Sequence, residues 1–267
     1  MNQTDYLKNH PEMFDTESRQ VKADKIIAVL KDYRNDNLSK TVWVFPANKA
    51  QVTIMNPAVL DVGCSTGVIT EALSTYFYWV KGIDIDEKAI KYAWENFKFK
   101  KRNLEFHVKD AMNIDFPKSD KSFDIVICNH IYEHVSNPHK MMSEIYRVLK
   151  PSGICYFAAG NRLNIIEGHY GLPFLSVMPK WMGHLYLRIT GKGKSYYEIH
   201  LTVWQLRKLV KQFEIIDYTK KIINDPEKFS ATDMVQAGSW KQKVAKFIIK
   251  YLYCLCPTYV WILKKGD

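Results

Sequence analysis

A short apolar run leads into Asp61-Val62-Gly63-Cys64-Ser65-Thr66-Gly67, and helical spacing follows. An apolar strand, a glycine turn and then a helix is an order that suits an adenosine-bearing ligand. Gly63 and Gly67 let the chain turn tightly and approach the ligand, and free amides at the helix start face its polar groups. Asp61, Cys64 and Ser65 belong to the same turn. A second apolar run, Trp79-Val80-Lys81-Gly82-Ile83, ends in Asp84, 21 positions beyond Gly63, with Ile85 next. A carboxylate at that distance accepts hydrogen bonds from both ribose hydroxyls. Asp110-Ala111 closes a third run, where a carboxylate accepts an adenine amino group, and Asn129-His130 closes a fourth at the reacting edge. A dinucleotide is excluded by the turn itself, because Gly63-Cys64-Ser65-Thr66-Gly67-Val68 lacks the third glycine of Gly-x-Gly-x-x-Gly.

For these groups to meet, the runs must be parallel strands. From residue 58 onward, short β-rich segments alternate with longer helical ones, the pattern of βαβ units. Strands are expected at 58–62, 79–83, 104–108, 123–128, 153–158 and 213–218, with 258–263 as a last strand closing the sheet. Helices are expected at 68–76, 87–97, 139–149 and 202–211, with Pro151-Ser152-Gly153 turning the chain after the third. Ahead of them, apolar residues at helical spacing within 17–34 predict an amphipathic leader helix, and Val42-Trp43-Val44-Phe45 a short hairpin. The expected fold is α/β: a doubly wound, seven-stranded, mostly parallel Rossmann-like sheet with helices on both faces. Its parts are a leader and linker at 1–56, a ligand-binding core at 57–160, a lid or substrate insertion at 161–200, and a C-terminal part of the core at 201–267. The insertion is long and aromatic, and loops of that length in a compact domain usually carry function.

The stretch 59–153 resembles the class I S-adenosylmethionine-dependent methyltransferases, in the branch that includes ubiquinone-biosynthesis and sugar or lipid methyltransferases. The resemblance is carried by Leu60-Asp61-Val62-Gly63-Cys64-Ser65-Thr66-Gly67, Gly82-Ile83-Asp84-Ile85-Asp86, Lys109-Asp110-Ala111, Phe123-Asp124-Ile125-Val126, Glu133-His134-Val135 and Arg147-Val148-Leu149-Lys150-Pro151-Ser152-Gly153. Ser65 stands where the family usually has its middle glycine. The resemblance implies S-adenosyl-L-methionine as cofactor and leaves the acceptor undefined.

Methyl transfer is an in-line displacement, so the protein must align two reactants and, for a hydroxyl acceptor, remove one proton. The candidate bases are His130, at the end of the fourth strand, and His169 and His200, which flank the insertion. Glu167, Tyr170, Tyr196 and Tyr197 are candidate lining groups, with ordinary packing as the alternative. His130-Ile131-Tyr132-Glu133-His134 has the spacing of an inverted zinc-peptidase motif, but it leaves a buried strand instead of lying in a long helix. Some related methyltransferases carry Glu-x-x-Glu-His here around a divalent ion. His130 replaces the first glutamate, and Mg²⁺ prefers oxygen donors. No metal is therefore expected, and Glu133 and His134 are expected to brace the turn.

The chain has 38 Lys+Arg against 28 Asp+Glu, a net charge of +10, and 47% hydrophobic residues. The charge favours anionic partners. Within 239–256 a basic amphipathic helix carries Trp240, Val244, Phe247, Ile248, Tyr251 and Leu255 on one stripe and Lys243, Lys246 and Lys250 on another face. Such a helix either docks on its own domain or lies on an anionic membrane. Leu172-Pro173-Phe174-Leu175, with Lys180, Arg188, Lys192 and Lys194 nearby, favours the membrane. The odd set of five cysteines and the lack of a secretory or transmembrane run point to a reduced, cytoplasmic protein, peripheral at the membrane surface. The expected acceptor is a hydroxyl on a small molecule, a glycan or a lipid-linked compound. Nucleic acid is disfavoured, because Asn129-His130-Ile131-Tyr132 lacks the Pro-Pro-aromatic turn of amino-group methylators. An RNA or protein methyltransferase and a non-catalytic cofactor-binding protein remain open.

Overall fold

A computed structural model describes residues 16–36, 57–97, 102–116 and 121–266. The hairpin expected at 42–45 lies outside them. The described chain runs α1 (Thr16–Asp36), β1 (Ala58–Val62), α2 (Val68–Leu73), β2 (Trp79–Asp84), α3 (Glu87–Phe97), β3 (Leu104–Val108), β4 (Phe123–Asn129), α4 (Pro138–Val148) and β5 (Leu149–Gly160). It continues with α5 (Lys180–Ile189), α6 (Val203–Leu209), β6 (Glu214–Asp217), α7 (Thr219–Asn224), α8 (Trp240–Tyr251) and β7 (Thr258–Lys264).

The strands form one sheet in the order β3-β2-β1-β4-β5-β7-β6. The first five are parallel, and β7 runs antiparallel to both its neighbours. Successive side chains of a strand point to opposite faces. Leu60, Val126 and Cys128 accordingly pack with α4 and α6 on one side, while Val59, Ile125 and Ile127 pack with α1, Leu73 and α3 on the other. Burial on both faces is what makes these strands continuous apolar runs.

Several boundaries differ from the expected ones. β7 does not close the sheet at its edge. It inserts between β5 and β6, because its five central residues are buried on both faces, whereas β6 carries one exposed and three half-buried residues. β5 begins at Leu149, and the turn expected at 151–153 is an irregularity within the strand, where the register against β4 shifts and Ser152 adopts φ +57°. α2 stops at Leu73, since the Ser74 hydroxyl donates to Glu71 O at 2.6 Å and ends the helix there.

The segment between β5 and α6 is no plain loop. It holds a short 3₁₀ turn (Leu175–Val177), helix α5 and a small core of its own made by Tyr170, Leu172, Leu175, Leu187 and Tyr196. Both ends are pinned at one point. Asn161 bridges Leu201, and the Tyr132 hydroxyl donates to Gly160 O at 2.5 Å while accepting from Leu201 N at 3.1 Å. The insertion thus leaves and re-enters the sheet beside the end of β4.

Candidate active site

The turn after β1 is shaped by contact. Gly63 has φ +71°, and a β-carbon on it would lie 2.2 Å from Ile131 Cδ1. Gly67 has φ +79°, and a β-carbon there would lie 2.6 Å from the Phe106 ring. The glycine turn and the turn after β4 therefore press against each other. Asp84, at the end of β2, accepts from Ser65 N at 2.8 Å and from Asp86 N at 2.9 Å. Each carboxylate oxygen keeps a second lone pair for a ligand hydroxyl. Burial raises its pKa against those backbone hydrogen bonds.

Asp61 is buried as well and accepts the Thr70 hydroxyl at 2.7 Å. Burial pushes its pKa up to about 7, with the Thr70 hydrogen bond pulling the other way and the Asp84 charge adding to the rise. A carboxyl raised in this way stabilises the fold while it is protonated, and that contribution fades as pH climbs from the unfolded value to about 7. Asp61→Asn is expected to raise the melting temperature of the ligand-free protein at about pH 8, with the gap over wild type narrowing as pH falls below about 7 and closing only near about pH 4. Thermal melts across that range check it, and equal melting temperatures at the higher pH would refute it.

Sequence reading missed Arg19. From the start of α1 its guanidinium donates to Ser65 Oγ at 3.3 Å, and burial lowers its pKa against the pull of Asp61 and Asp84. No local spacing in that charge-rich helix singles it out. The leader helix does two things, packing Ile26, Ile27, Val29 and Leu30 on the sheet and setting a cation over the glycine turn.

The edge fits an adenosine-bearing ligand. Ile85 is 64% and Val108 45% exposed at the ends of β2 and β3, two apolar side chains suited to the faces of a base. Thr66 Oγ1 is buried without a hydrogen-bond partner in the glycine turn. Asp110 and Ala111 are half-buried beyond β3, and the Asp110 carboxylate accepts Met112 N at 2.8 Å. Asn129 ends β4, half-buried. Cys64 is buried, and burial, with the Asp61 and Asp84 charges, raises its thiol well above the ordinary value, which leaves it unreactive.

Beside this edge the three candidate bases come together. His130, Glu133, Gly160, Glu167, His169 and His200 line one cavity of about 70 Å³. His130 holds φ +58°, and its Nδ1 lies 3.1 Å from Glu133 Oε1. Burial alone would raise the pKa of Glu133, but the hydrogen bond and charge of His130 outweigh it and hold the carboxyl at about 2. His169 Nδ1 lies 2.7 Å from Glu167 Oε1. Burial lowers the pKa of His169, yet the hydrogen bond and charge of Glu167 bring the net shift upward. The Tyr196 hydroxyl meets His200 Nδ1 at 2.9 Å, and burial pulls the His200 pKa down. His134, exposed at the rim, packs its ring edge-on to that of His169.

Of the other lining candidates, Tyr170 belongs to the small core of the insertion and Tyr197 is 53% exposed. A larger cleft, about 390 Å³, is lined by Asp24, Lys31, Asp32, Tyr76 and Lys228, and none of the strand-end groups contributes to it.

Residues 60–157 match the methyltransferase domain family. Among curated proteins the chain is 32% identical over 112 residues to a ubiquinone biosynthesis O-methyltransferase of Coxiella burnetii, covering 42% of this chain and 47% of the relative. It is 33% identical over 104 residues to the protein of the same name from Thiobacillus denitrificans, covering 39% and 44%. The chain thus spans about half the length of the curated relatives it matches. Two solved structures share the fold. One is an S-adenosylmethionine-dependent methyltransferase from Methanosarcina mazei, with TM-score 0.51, 21% identity, 79% of this chain and 93% of the other covered. The second is the cyclase SpnF, with TM-score 0.50, 21% identity, 81% and 78% covered. Residues 60–157 are thus a methyltransferase domain by their match, and the sheet that carries them has the fold of an S-adenosylmethionine-dependent methyltransferase structure. The cyclase shows that the fold by itself does not decide the reaction, so the acceptor chemistry must be argued from the site.

Proposed function

We propose that this chain transfers a methyl group to a hydroxyl oxygen of a small-molecule, saccharide or lipid-linked acceptor. The observation that carries the reading is the His130–Glu133 pair, set in the cavity shared with Glu167, His169 and His200 beside the glycine turn. Bound S-adenosylmethionine supplies an electrophilic sulfonium methyl. Removal of the hydroxyl proton falls to His130: an anionic Glu133 selects the tautomer with hydrogen on Nδ1, which leaves the Nε2 lone pair to take that proton. Asp84 holds the ribose, and Arg19, Asp61 and Ser65 surround the methionine end. The insertion covers the acceptor and keeps water out.

Transfer of labelled methyl from S-adenosylmethionine to hydroxyl-bearing saccharides and lipid extracts tests the reading. An ether product supports it. Turnover on RNA or protein amines, with no hydroxyl acceptor used, would overturn it.

The place of action we propose is the surface of an anionic bilayer on the cytoplasmic side. Among the described residues no helix is long and apolar enough to cross a membrane. α8 docks on the domain by a face other than the apolar stripe. Gln242 and Ile249 are buried, and the Gln242 amide donates to Ile223 O at 2.9 Å. Trp240, Val244, Phe247, Tyr251 and Leu255 stay exposed, with Lys241, Lys243, Lys246 and Lys250 around them. α5 repeats the pattern. Trp181, Leu185 and Ile189, spaced i, i+4 and i+8, are 68%, 52% and 74% exposed, with Arg188, Lys192 and Lys194 at hand. Exposed apolar stripes set among lysines complement anionic headgroups over an apolar interior.

The protein is expected to co-sediment with phosphatidylglycerol-containing vesicles, to leave them at high salt, and to ignore pure phosphatidylcholine. Trp240→Glu with Phe247→Glu should weaken partitioning by roughly a hundredfold or more, since each large side chain contributes about 1.5–3 kcal/mol when buried. Wild-type protein that stays in the supernatant with anionic vesicles would end this part of the reading.

A further inference from the structure

Glu167, His169 and His200 each place one ligand-type atom within 4.8 Å of the others. Two come from the 161–200 insertion and the third from its far end, so no short sequence motif joins them. Glu167 Oε1 lies between two imidazoles, 2.7 Å from His169 Nδ1 and 3.8 Å from His200 Nε2. The Glu167 side chain is fully buried and that of His200 6% exposed.

Two further features belong to a site rather than to packing. Glu133 lines the same cavity, its side chain is fully buried, and its Oε2 has no hydrogen-bond partner. A buried carboxylate oxygen without a partner is costly unless something satisfies it. The second feature is the Tyr196 hydroxyl on His200 Nδ1 at 2.9 Å. A hydroxyl partner on one ring nitrogen holds the ring and can accept its N–H when the other nitrogen binds an ion, as in the shell behind metal-bound histidines. Gly160 keeps the space open, since a β-carbon there would stand 3.5 Å from both Glu133 Oε1 and His200 Nε2.

We propose that Glu167, His169 and His200 bind a divalent transition-metal ion of the zinc or iron(II) class, with Glu133 Oε2 facing it across the cavity. Two imidazoles and a carboxylate form a mixed nitrogen and oxygen donor set, which suits these ions better than Mg²⁺ or Ca²⁺. Three protein ligands leave a position open for an oxygen from outside, as catalytic sites do. Metal–ligand bonds of about 2.0–2.2 Å set neighbouring ligand atoms about 3.4 Å apart, so on binding His169 Nδ1 and Glu167 Oε1 part from 2.7 Å while His200 Nε2 closes from 3.8 Å, each by rotation about side-chain bonds. The use of the ion, to hold and acidify the acceptor hydroxyl that His130 deprotonates, rests on the hydroxyl-methylation reading. The binding itself does not.

Full-length protein stripped with chelator and desalted is titrated with Zn²⁺ by calorimetry, without cofactor or acceptor, and with Co²⁺ by visible absorption. One saturable Zn²⁺ per chain, and Co²⁺ bands of the intense four- or five-coordinate kind, are expected. Tyr196→Phe, which removes only the support of His200, should weaken Zn²⁺ by about 10–100-fold. Glu167→Gln and His169→Gln should weaken it further, and His139→Ala, on the exposed start of α4, should leave it unchanged. Wild-type protein that binds no Zn²⁺, gives only the weak spectrum of hydrated Co²⁺, or binds Zn²⁺ equally well after Glu167→Gln and His169→Gln overturns the proposal. The Co²⁺ spectrum needs no variant, so a substitution that misfolds leaves the test intact. Metal bound as described by a chain that methylates no hydroxyl would sink the acceptor reading alone. Hydroxyl methylation by protein that binds no Zn²⁺ would sink this one alone.

Discussion

His130→Asn is expected to lower kcat by about 10²–10⁴-fold, the usual contribution of a positioned base, while leaving S-adenosylhomocysteine affinity unchanged. Asparagine is the better substitution than alanine because residue 130 sits at φ +58°, a left-handed conformation that asparagine tolerates and alanine does not. The change removes the ring nitrogen that takes the acceptor proton and keeps the turn against Gly63. A loss in kcat with cofactor binding intact marks a group acting on the acceptor. A loss of both would mark a broken turn, and full activity would remove His130 from the mechanism. Glu133→Gln gives a second readout. The Glu133 carboxylate accepts from Nδ1–H and so selects the tautomer with a free Nε2, whereas a glutamine amide can donate to Nδ1 and turn Nε2 into an N–H. Glu133→Gln should therefore lower kcat with S-adenosylhomocysteine affinity intact, as His130→Asn does, and an unchanged kcat would separate Glu133 from the base.

Legibility in the sequence follows physical origin. The end of β1, the end of β2 and the acid at Asp84 are visible because strands buried on both faces are continuous apolar runs, and a polar residue that stops such a run marks the sheet edge. The boundaries that shift are set by single hydrogen bonds or by register: Ser74 on Glu71 O ends α2, and the slip between Phe123 and Ile125 lets β5 start at Leu149. Periodicity reports an apolar stripe without saying what covers it. For that reason α8 and α5 look alike in sequence whether docked or bare, and only the buried Gln242 and Ile249 show which face α8 uses. The clustering of Glu167, His169 and His200 has no sequence signature. It depends on the Asn161–Leu201 bridge, which brings the two ends of the insertion together. His130, His169 and His200 stand out one by one as histidines near strand or insertion ends, but Glu167 as the carboxylate between two of them is a fact of the fold. Arg19 is invisible for the same reason, since only the path of α1 across the glycine turn gives it a role.

Asp84→Ala is expected to weaken S-adenosylhomocysteine binding by on the order of 1.5–3 kcal/mol, or roughly 10–150-fold, in a calorimetric titration. Two losses add to the same result. The ribose hydroxyls lose a charged acceptor, and the amide of Ser65 loses the carboxylate that orients the glycine turn. An amide left unpaired in a buried turn costs about 1–3 kcal/mol by itself. Asp84→Asn separates the two, because its single carbonyl oxygen accepts from one amide while its NH₂ faces the other, donor against donor. Affinity in Asn as poor as in Ala would place most of the effect in the turn. An intermediate value would assign the remainder to the ribose. Undiminished affinity in both variants would remove the end of β2 from the cofactor site, and with it the geometric basis for placing the methyl donor beside His130.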